Sequence, residues 1–515
     1  EVIDGLINLR GKVITIINTG LAFGGEKVKQ SEDSRIFILK SNQELILINY
    51  SIPGEKMFRK LIPVSLIISV ACAATFTTGL FAGDDESRYS DEVKGMSKDI
   101  PKRPEPLIEL LQGYQRPGRL DYEMELPTGM VLSPNLTVYG VYRTGPQAVN
   151  NGVDPTRVEW VHELSLFSAL TLTHTERVVV GMAPLQEGGS RSKHIFEPDD
   201  EKGTVNKLNG RITSLFFEGD LSEILPKLDW EGRRPLDYGI AVGRQPVLIQ
   251  DGFLIADLMD SVAITRNTIP FGSAAFGRLT FLYGWNEINR SNNAEVGQTS
   301  IYGLFSGFDL YSSTVELDTA FLDSTDAAGD QFNIALSAVQ PIIVFGTEFN
   351  TTFRVAHSAA VDDETAQATD GTLFHTNISW APKTTHNIAY VNAFWAIDQY
   401  APASRSAGGP LGRAGLLFAG NGLASGSPIS NRTNETFGGS VGYQMFLTPD
   451  NRRNLVLEAS GKVDDSPTGF SAFGIGGKIS QAIGHHALIS VDIFGIEQES
   501  RENSYGLRSE LTIKF

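Results

Sequence analysis

The sequence predicts an all-β protein, a single transmembrane antiparallel β-barrel of about 18 strands (16–18) over residues 131–515. Three observations predict it. Polar and large apolar residues alternate with period two, short connections alternate with long ones, and the chain ends on a strand-like segment closing at Phe515.

The alternation is cleanest near the C-terminus. In residues 454–463, Leu455, Leu457, Ala459, Gly461 and Val463 take one face, while Asn454, Glu458, Ser460 and Lys462 take the other. In residues 504–515, Tyr505, Leu507, Leu511, Ile513 and Phe515 oppose Gly506, Arg508, Glu510, Thr512 and Lys514. Such faces need water on one side and an apolar medium on the other. A sandwich strand meets the same requirement, so the spacing between strands carries the stronger argument.

Counting back from the last strand, short connections near Gln481, Thr448, Ala381, Gln340, Phe308, Pro270 and His174 alternate with longer polar ones. The long ones lie near Glu497, Asp464, 401–431, 359–370, Ser324, Ser291, Gln250, Ser190 and Ala148. Membrane barrels have short periplasmic turns, longer outer loops and an even strand number. The stretch 221–237 breaks the rhythm, being long where a short turn is due. Tyr139, Trp160, Tyr283, Trp285, Trp380, Phe394 and Trp395 fall near strand ends and suit interfacial girdles.

Composition is compatible with this fold. A hydrophobic fraction of 41% and a mean hydropathy of −0.09 would suit a soluble chain, and the one nearly continuous apolar stretch, 61–74, is too short to span a bilayer as a helix. A barrel hides its membrane signal by alternation. That apolar stretch belongs to Met57-Phe-Arg-Lys-Leu-Ile-Pro-Val-Ser-Leu-Ile-Ile-Ser-Val-Ala-Cys-Ala-Ala, with basic Arg59 and Lys60, an apolar core and Ala71-Cys-Ala73 for cleavage. It reads as a signal peptide over 57–73, with cleavage as late as residue 82 as an alternative and a buried core helix as the competing structural reading. The single cysteine, Cys72, lies inside it, so disulfides, thiolate metal sites and cysteine nucleophiles are excluded from the exported part.

The exported part divides further. Residues 84–130 are polar and Pro-rich (Ile100-Pro-Lys-Arg-Pro-Glu-Pro), with one short helical candidate at 107–111, and read as a periplasmic arm or linker. The net charge is −17 overall and more negative once 1–73 is removed, since that stretch holds more basic than acidic side chains. Nucleic acid is therefore not an expected partner.

Residues 1–56 are of a different kind. Gly5-Leu-Ile-Asn-Leu-Arg-Gly-Lys-Val-Ile-Thr-Ile-Ile-Asn and Arg35-Ile-Phe-Ile-Leu resemble a fragment of a CheW-type chemotaxis coupling domain. The stretch is less than half such a domain, has no initiating Met, and precedes an export signal. It is expected not to be part of the mature protein.

Catalytic and metal motifs are sparse. Gly438-Gly-Ser440-Val-Gly442 matches the nucleophile elbow in letters, but an elbow needs a strand turning into a helix, and here the small residues continue into strand-like Tyr-Gln-Met-Phe. His162-Glu163 lacks the second His of a zinc helix, because position 166 is Leu. His485-His486 sits at an expected turn. Asp323, Asp326, Asp362, Asp363 and Glu364 read as solvated loop charge. No enzyme activity, cofactor or metal centre is expected.

The most distinctive stretch is Tyr238-Gly-Ile-Ala-Val-Gly-Arg244-Gln245-Pro-Val-Leu-Ile-Gln-Asp251-Gly252-Phe-Leu-Ile-Ala-Asp257-Leu-Met-Asp260. A strand with Gly-Arg-Gln, a Gly-containing connection and an acidic residue opening the next strand is similar to alginate-export-family porins of Gram-negative outer membranes, at motif level over about 237–285. The resemblance implies an outer-membrane channel for passive diffusion of a small polar solute, a saccharide or organic acid, through a constricted lumen. It makes Arg244 the leading lumen cation, with Gln245 next to it, and Asp251 and Asp257 on a segment, 250–257, expected to fold inward. The lumen phase elsewhere holds Arg278, Glu316, Asp318, Glu458, Lys462, Asp492, Arg508 and Glu510. This set is mixed in sign, whereas a polyanion channel calls for an arginine-rich lumen, so alginate itself fits poorly. The connection 401–431, rich in Gly, Ser and Ala, is the other candidate for narrowing the pore. The closing Leu511-Thr-Ile-Lys-Phe515 resembles the ending that barrel-assembly machinery recognises, and outer-membrane lipid and lipopolysaccharide are the expected surroundings. Two alternatives remain: a structural sheath around a partner such as a periplasmic cytochrome, and an outer-membrane enzyme.

Overall fold

The computed structural model describes four strands between residues 3 and 50 and, apart from short gaps, residues 104–515. The expected signal peptide, Cys72, the whole 84–103 stretch, residues 112–123, His174, Asp326 and Asp362 lie outside the described residues. The N-terminal strands, Ile3–Leu9, Lys12–Asn18, Arg35–Ser41 and Glu44–Tyr50, form a four-stranded sheet in the order first, second, fourth, third. They belong to a compact unit of their own, Glu1–Arg88.

The second unit is a closed antiparallel barrel whose wall consists of 18 strands. In chain order these are β1 (Asn135–Asn150), β2 (Arg157–Thr171), β3 (Arg177–Met182), β4 (Ile212–Asp220), β5 (Tyr238–Ile249), β6 (Ile255–Phe271), β7 (Ala274–Asn286), β8 (Thr299–Leu310) and β9 (Ser313–Ser324). The wall continues with β10 (Gln331–Val344), β11 (Thr347–Ala360), β12 (Gly371–Trp380), β13 (Ile388–Gln399), β14 (Asn434–Phe446), β15 (Arg453–Asp464), β16 (Ala472–Ile483), β17 (Ala487–Gln498) and β18 (Ser504–Lys514). Each pairs with the next, and β18 returns to β1. No described helix is long and apolar enough to cross a membrane.

Burial follows the alternation with the usual sense inverted. Leu457 is 50% exposed on the outside of β15, whereas Glu458 and Lys462 are 4% and 3% exposed on its inner face. Ile489, Ile493, Tyr505 and Leu507 likewise point out, while Asp492 and Arg508 are buried inside. An apolar exterior around a charged interior is stable only where lipid replaces water outside. The connections keep the expected rhythm, with β10–β11 joined through Phe345 and Gly346 alone and β13–β14 joined through 400–433. The long stretch 221–237 contains a short helix, Leu221–Ile224, and a 3-10 turn, Pro226–Asp229.

Two features depart from the sequence reading. The helical candidate at 107–111 is a strand, Ile108–Leu111, antiparallel to the start of β1 with Ile108 opposite Val138 and Leu111 opposite Asn135. The reason is the unequal length of the strands at the closing seam. Phe515 pairs with Gly140, so 135–139 would otherwise present an open edge. An apolar strand segment satisfies that edge better than a helix would. Phe394, read as a girdle residue, is buried on the inner face against Phe418, whereas its neighbour Trp395 points outward beside Phe374.

Glycine matters at the seam. Pro146 in β1 has no N–H for the ladder, and at the preceding Gly145 an added Cβ would lie 1.9 Å from the carbonyl oxygen of Ser509. A Gly145→Val substitution is expected to push β1 away from β18 and to destabilise the barrel by about 1–3 kcal/mol. Thermal melting of the detergent-solubilised barrel checks this, and an unchanged midpoint counts against the seam geometry.

Candidate functional site

The lumen is shaped by two outer-side connections that fold inward. The first joins β5 to β6. Gln250 and Asp251 both take φ 54° and Gly252 takes φ 86°, a left-handed turn that L side chains adopt only at a cost. This turn crosses the lumen instead of capping its own strands. The Gln250 Nε2 donates to Asp318 Oδ2 on β9 at 2.7 Å, and the Arg354 Nε on β11 donates to Gln250 Oε1 at 2.9 Å. The Arg354 Nη2 pairs with Asp251 Oδ2 at 2.9 Å, and its Cζ lies 4.5 Å from the Phe253 ring centre. His375 on β12 stacks against the same ring at 4.6 Å. The segment is therefore held by wall strands three to six places away around the cylinder from β6. These bonds, together with the buried Phe253, Leu254 and Ile255, outweigh the backbone strain.

The second inward connection is 400–433. Ser404 and Arg405 run parallel to Ile255 and Ala256 of β6. The Ala401 carbonyl accepts from Gln331 and Asn333 of β10 at 3.0 and 2.8 Å, and the Tyr400 hydroxyl donates to the Phe253 carbonyl at 2.9 Å. Farther along, Leu416 and Leu417 N–H groups donate to the Glu458 carboxylate at 2.7 and 2.9 Å, and Ser440 Oγ donates to the Ala414 carbonyl at 2.6 Å. Phe418 packs edge-on against Phe394 at 5.2 Å. Burial raises the Tyr400 phenol above its ordinary pKa and lowers that of the Arg405 guanidinium, which donates to the Gly252 carbonyl.

Asp257 ties both connections together. It is 5% exposed; one oxygen accepts from Asn289 Nδ2 at 2.8 Å, and the other accepts from the Asn289 backbone N–H at 2.8 Å and from Ser404 Oγ. It is an anchor rather than a group presented to a solute. Gln245 is likewise internal, donating to Ser261 Oγ at 3.0 Å.

The remaining predicted residues divide between two stretches of inner wall. On one, Arg278 opposes Gly307, Gly307 opposes Glu316, Glu316 opposes Ser337, and Ser337 opposes Arg354. The Arg278 side chain is 59% exposed, with its Nη2 3.5 Å from Glu316. On the other, Arg508 pairs with Asp492 at 2.6 Å, and Arg143 joins Glu510 and Glu163 at 2.8 and 3.3 Å. Arg191 also pairs with Glu163, and Glu159 is held by Lys193 at 2.9 Å and Gln147 at 2.6 Å. Lys462 pairs with Asp464 at 2.9 Å. The inner wall is thus mixed in sign.

Arg244 is placed differently from the expectation. It stands directly opposite Leu215 and Asp260, in phase with the outward Val242, while its neighbour Gln245 points in. There it makes a paired contact with Asp260 (2.7 and 2.9 Å) and reaches Glu287 at 2.8 Å. β5 carries apolar residues on both faces, so alternation alone does not fix its phase. Arg354, which the sequence did not single out, is the wall cation that meets the inward turn, alongside Arg405 from the long connection. Its signal was an arginine flanked by alternating Phe353 and Val355 on the lipid face.

No protein-family model matches the chain, and no curated protein matches it. Solved structures do. The fold is similar to that of OccAB3 from Acinetobacter baumannii, at TM-score 0.52 and 9% identity over 74% of this chain and 99% of that one. It is similar to OpdK of Pseudomonas aeruginosa, determined with vanillate, at TM-score 0.51 and 9% identity over 74% and 98%. A BenF-like porin from Pseudomonas fluorescens Pf-5 matches at TM-score 0.51 and 9% identity over 74% and 99%. The similarity establishes the closed-barrel fold. It lends no support to the narrower alginate-export resemblance or to the CheW-like one.

Because Asp257 holds two loops at once, Asp257→Ala is expected to cost about 1–3 kcal/mol locally by leaving the Asn289 amide unpaired. Amide exchange at 404–406 should quicken while the wall strands keep their protection. Unchanged exchange there would remove Asp257 from its anchoring role.

Proposed function

We propose that this protein is a bacterial outer-membrane channel through which a small polar solute diffuses passively. The observation that carries the reading is a closed, apolar-jacketed wall around a charged interior that the chain's own loops narrow without a partner. A sealed cylinder removes every edge that lipid could not solvate, and its lumen is the one route across. The opposed charges of the inner wall, Arg278 with Glu316 on one stretch and Arg508 with Asp492 on another, hydrate the path and favour polar over apolar solutes. The named neighbours, one of them a BenF-like porin and another determined with vanillate, support this reading.

In this reading residues 57–73 direct export, 84–130 form a periplasmic arm, and residues 1–56 take no part in transport. The C-terminal Phe515, whose backbone pairs with Gly140 at 2.7 and 3.1 Å, presents the terminal strand to the assembly machinery, with lipid and lipopolysaccharide surrounding the finished wall. Arg278, Glu316, Asp318 and Asp251 border the narrowed part of the path, with Arg354 holding the turn in place. A sheath reading is disfavoured because 250–254 and 400–433 occupy the space a threaded partner would need. An enzyme reading is disfavoured because Ser440 lies in the middle of β14 and donates to a backbone carbonyl.

Planar-bilayer recording of the purified barrel tests the reading. Discrete unitary steps are expected, and Arg354→Ala should raise their size by roughly twofold by releasing the inward turn. A protein that inserts but never conducts would overturn the proposal.

A further inference from the structure

The outer side of the lumen contains a second recess, away from the inward turn. It is a cavity of about 550 Å³ between the outer ends of β1, β2, β17 and β18 and residues 426–430 of the long connection. That volume lies within the range of ordinary small-molecule pockets. We propose that it is an entry subsite for an uncharged, polyhydroxylated solute, a saccharide of one or two rings. The inference rests on the channel reading and names the class of solute.

The argument comes from which hydrogen-bonding atoms the wall has left. Gln147 gives one of its two amide N–H groups to Glu159, and Gln498 gives one of its two to the Asn151 carbonyl at 3.2 Å. Both acceptors lack a proton, so the orientation of each amide is fixed, and its oxygen together with its second N–H is left for the cavity. Ser504 Oγ likewise donates to the Asn150 carbonyl at 2.8 Å, leaving its lone pairs. The result is a wall of oxygen acceptors with amide donors among them, and a bound molecule must bring donors as well as acceptors to satisfy it. Hydroxyl groups do so. A carboxylate, which only accepts, could meet the remaining N–H groups but would leave the Gln147, Gln498 and Ser504 oxygens unpaired.

The charge balance points the same way. The lining acids are Asp154, Glu159 and Glu201, and the lining bases are Arg157 and Arg501. Lys193 at 2.9 Å from Glu159 brings the sum to neutrality. Arg157 is already engaged by Glu159 and Glu201, and Arg501 lies flat on the Phe470 ring, 3.8 Å from its centre. Neither sign is in excess to select an ion. Phe494 and Val149 supply the apolar part of the lining against which the C–H face of a sugar ring can lie.

The test uses maltose as the probe and benzoate as the carboxylate control. In planar-bilayer recordings of the full barrel, maltose on the outer side is expected to reduce the ion current in a concentration-dependent way, and benzoate is not. The paired substitution Gln498→Leu and Ser504→Ala should abolish the maltose effect while the unitary conductance in plain salt remains, which also shows that the variant has folded. Equal blocking by benzoate, or an unaltered maltose effect in the variant, overturns the subsite. If the protein conducts no current at all, the channel reading falls separately. Titration calorimetry of the detergent-solubilised barrel with maltose then decides the subsite alone: heat of binding lost in the variant supports it, and absence of binding to the parent barrel overturns it.

Discussion

Backbone hydrogen bonding in a medium without water is the constraint on which this structure depends. Each exposed N–H or C=O in hydrocarbon costs several kcal/mol, so a sheet can live there only as a ring in which the last strand finds the first. The seam between β1 and β18 meets that demand imperfectly, because Pro146 has no proton to give and β18 is too short to cover the first residues of β1. Both deficits are repaired locally. Gly145 allows the backbones to close in, and the strand Ile108–Leu111 covers the lower edge with Ile108 and Leu110 in phase with Val138 and Leu136. A segment that looks like a linker in composition thus completes the wall.

Once the wall is sealed, its interior imposes the opposite problem. Loops drawn inside bring backbone groups into a partly dry space, and each needs a partner there. The structure answers with side chains from the wall. Glu458 receives two N–H groups of the long connection, Ala401 is capped by Gln331 and Asn333, and Asp257 binds Asn289 and Ser404 together. Glu458 and Asp257 therefore serve the shape of the pore more than its charge, and the groups left to meet solute are the exposed ones such as Arg278.

The sequence made the wall legible because alternation and connection length are local properties. The inner and outer faces of β15 and β18 and the exceptional length of 221–237 could be read from short windows, whereas the inward course of 250–257 was expected only through the family resemblance. What could not be read was phase where a strand is apolar on both faces, which is why Arg244 and Phe394 were assigned to the wrong side. Nor was the partner of the inward turn visible. Arg354 lies about a hundred residues from Gln250, and only the register of the intervening strands brings the two together. Leu107–Leu111 was misread because four apolar residues in five suit either periodicity, and the open edge that selects a strand exists only in the assembled cylinder.

The seam also joins parts of the chain that are made at opposite times. Arg143 and Glu510, bonded across it, are 367 positions apart, so that entire span must be synthesised before the ring has both of its margins. Until then the protein is an unrolled sheet with two sticky margins, a species prone to aggregate and slow to mature. The strand Ser504–Lys514 is thus the clasp of the ring, and without it the wall keeps two open edges.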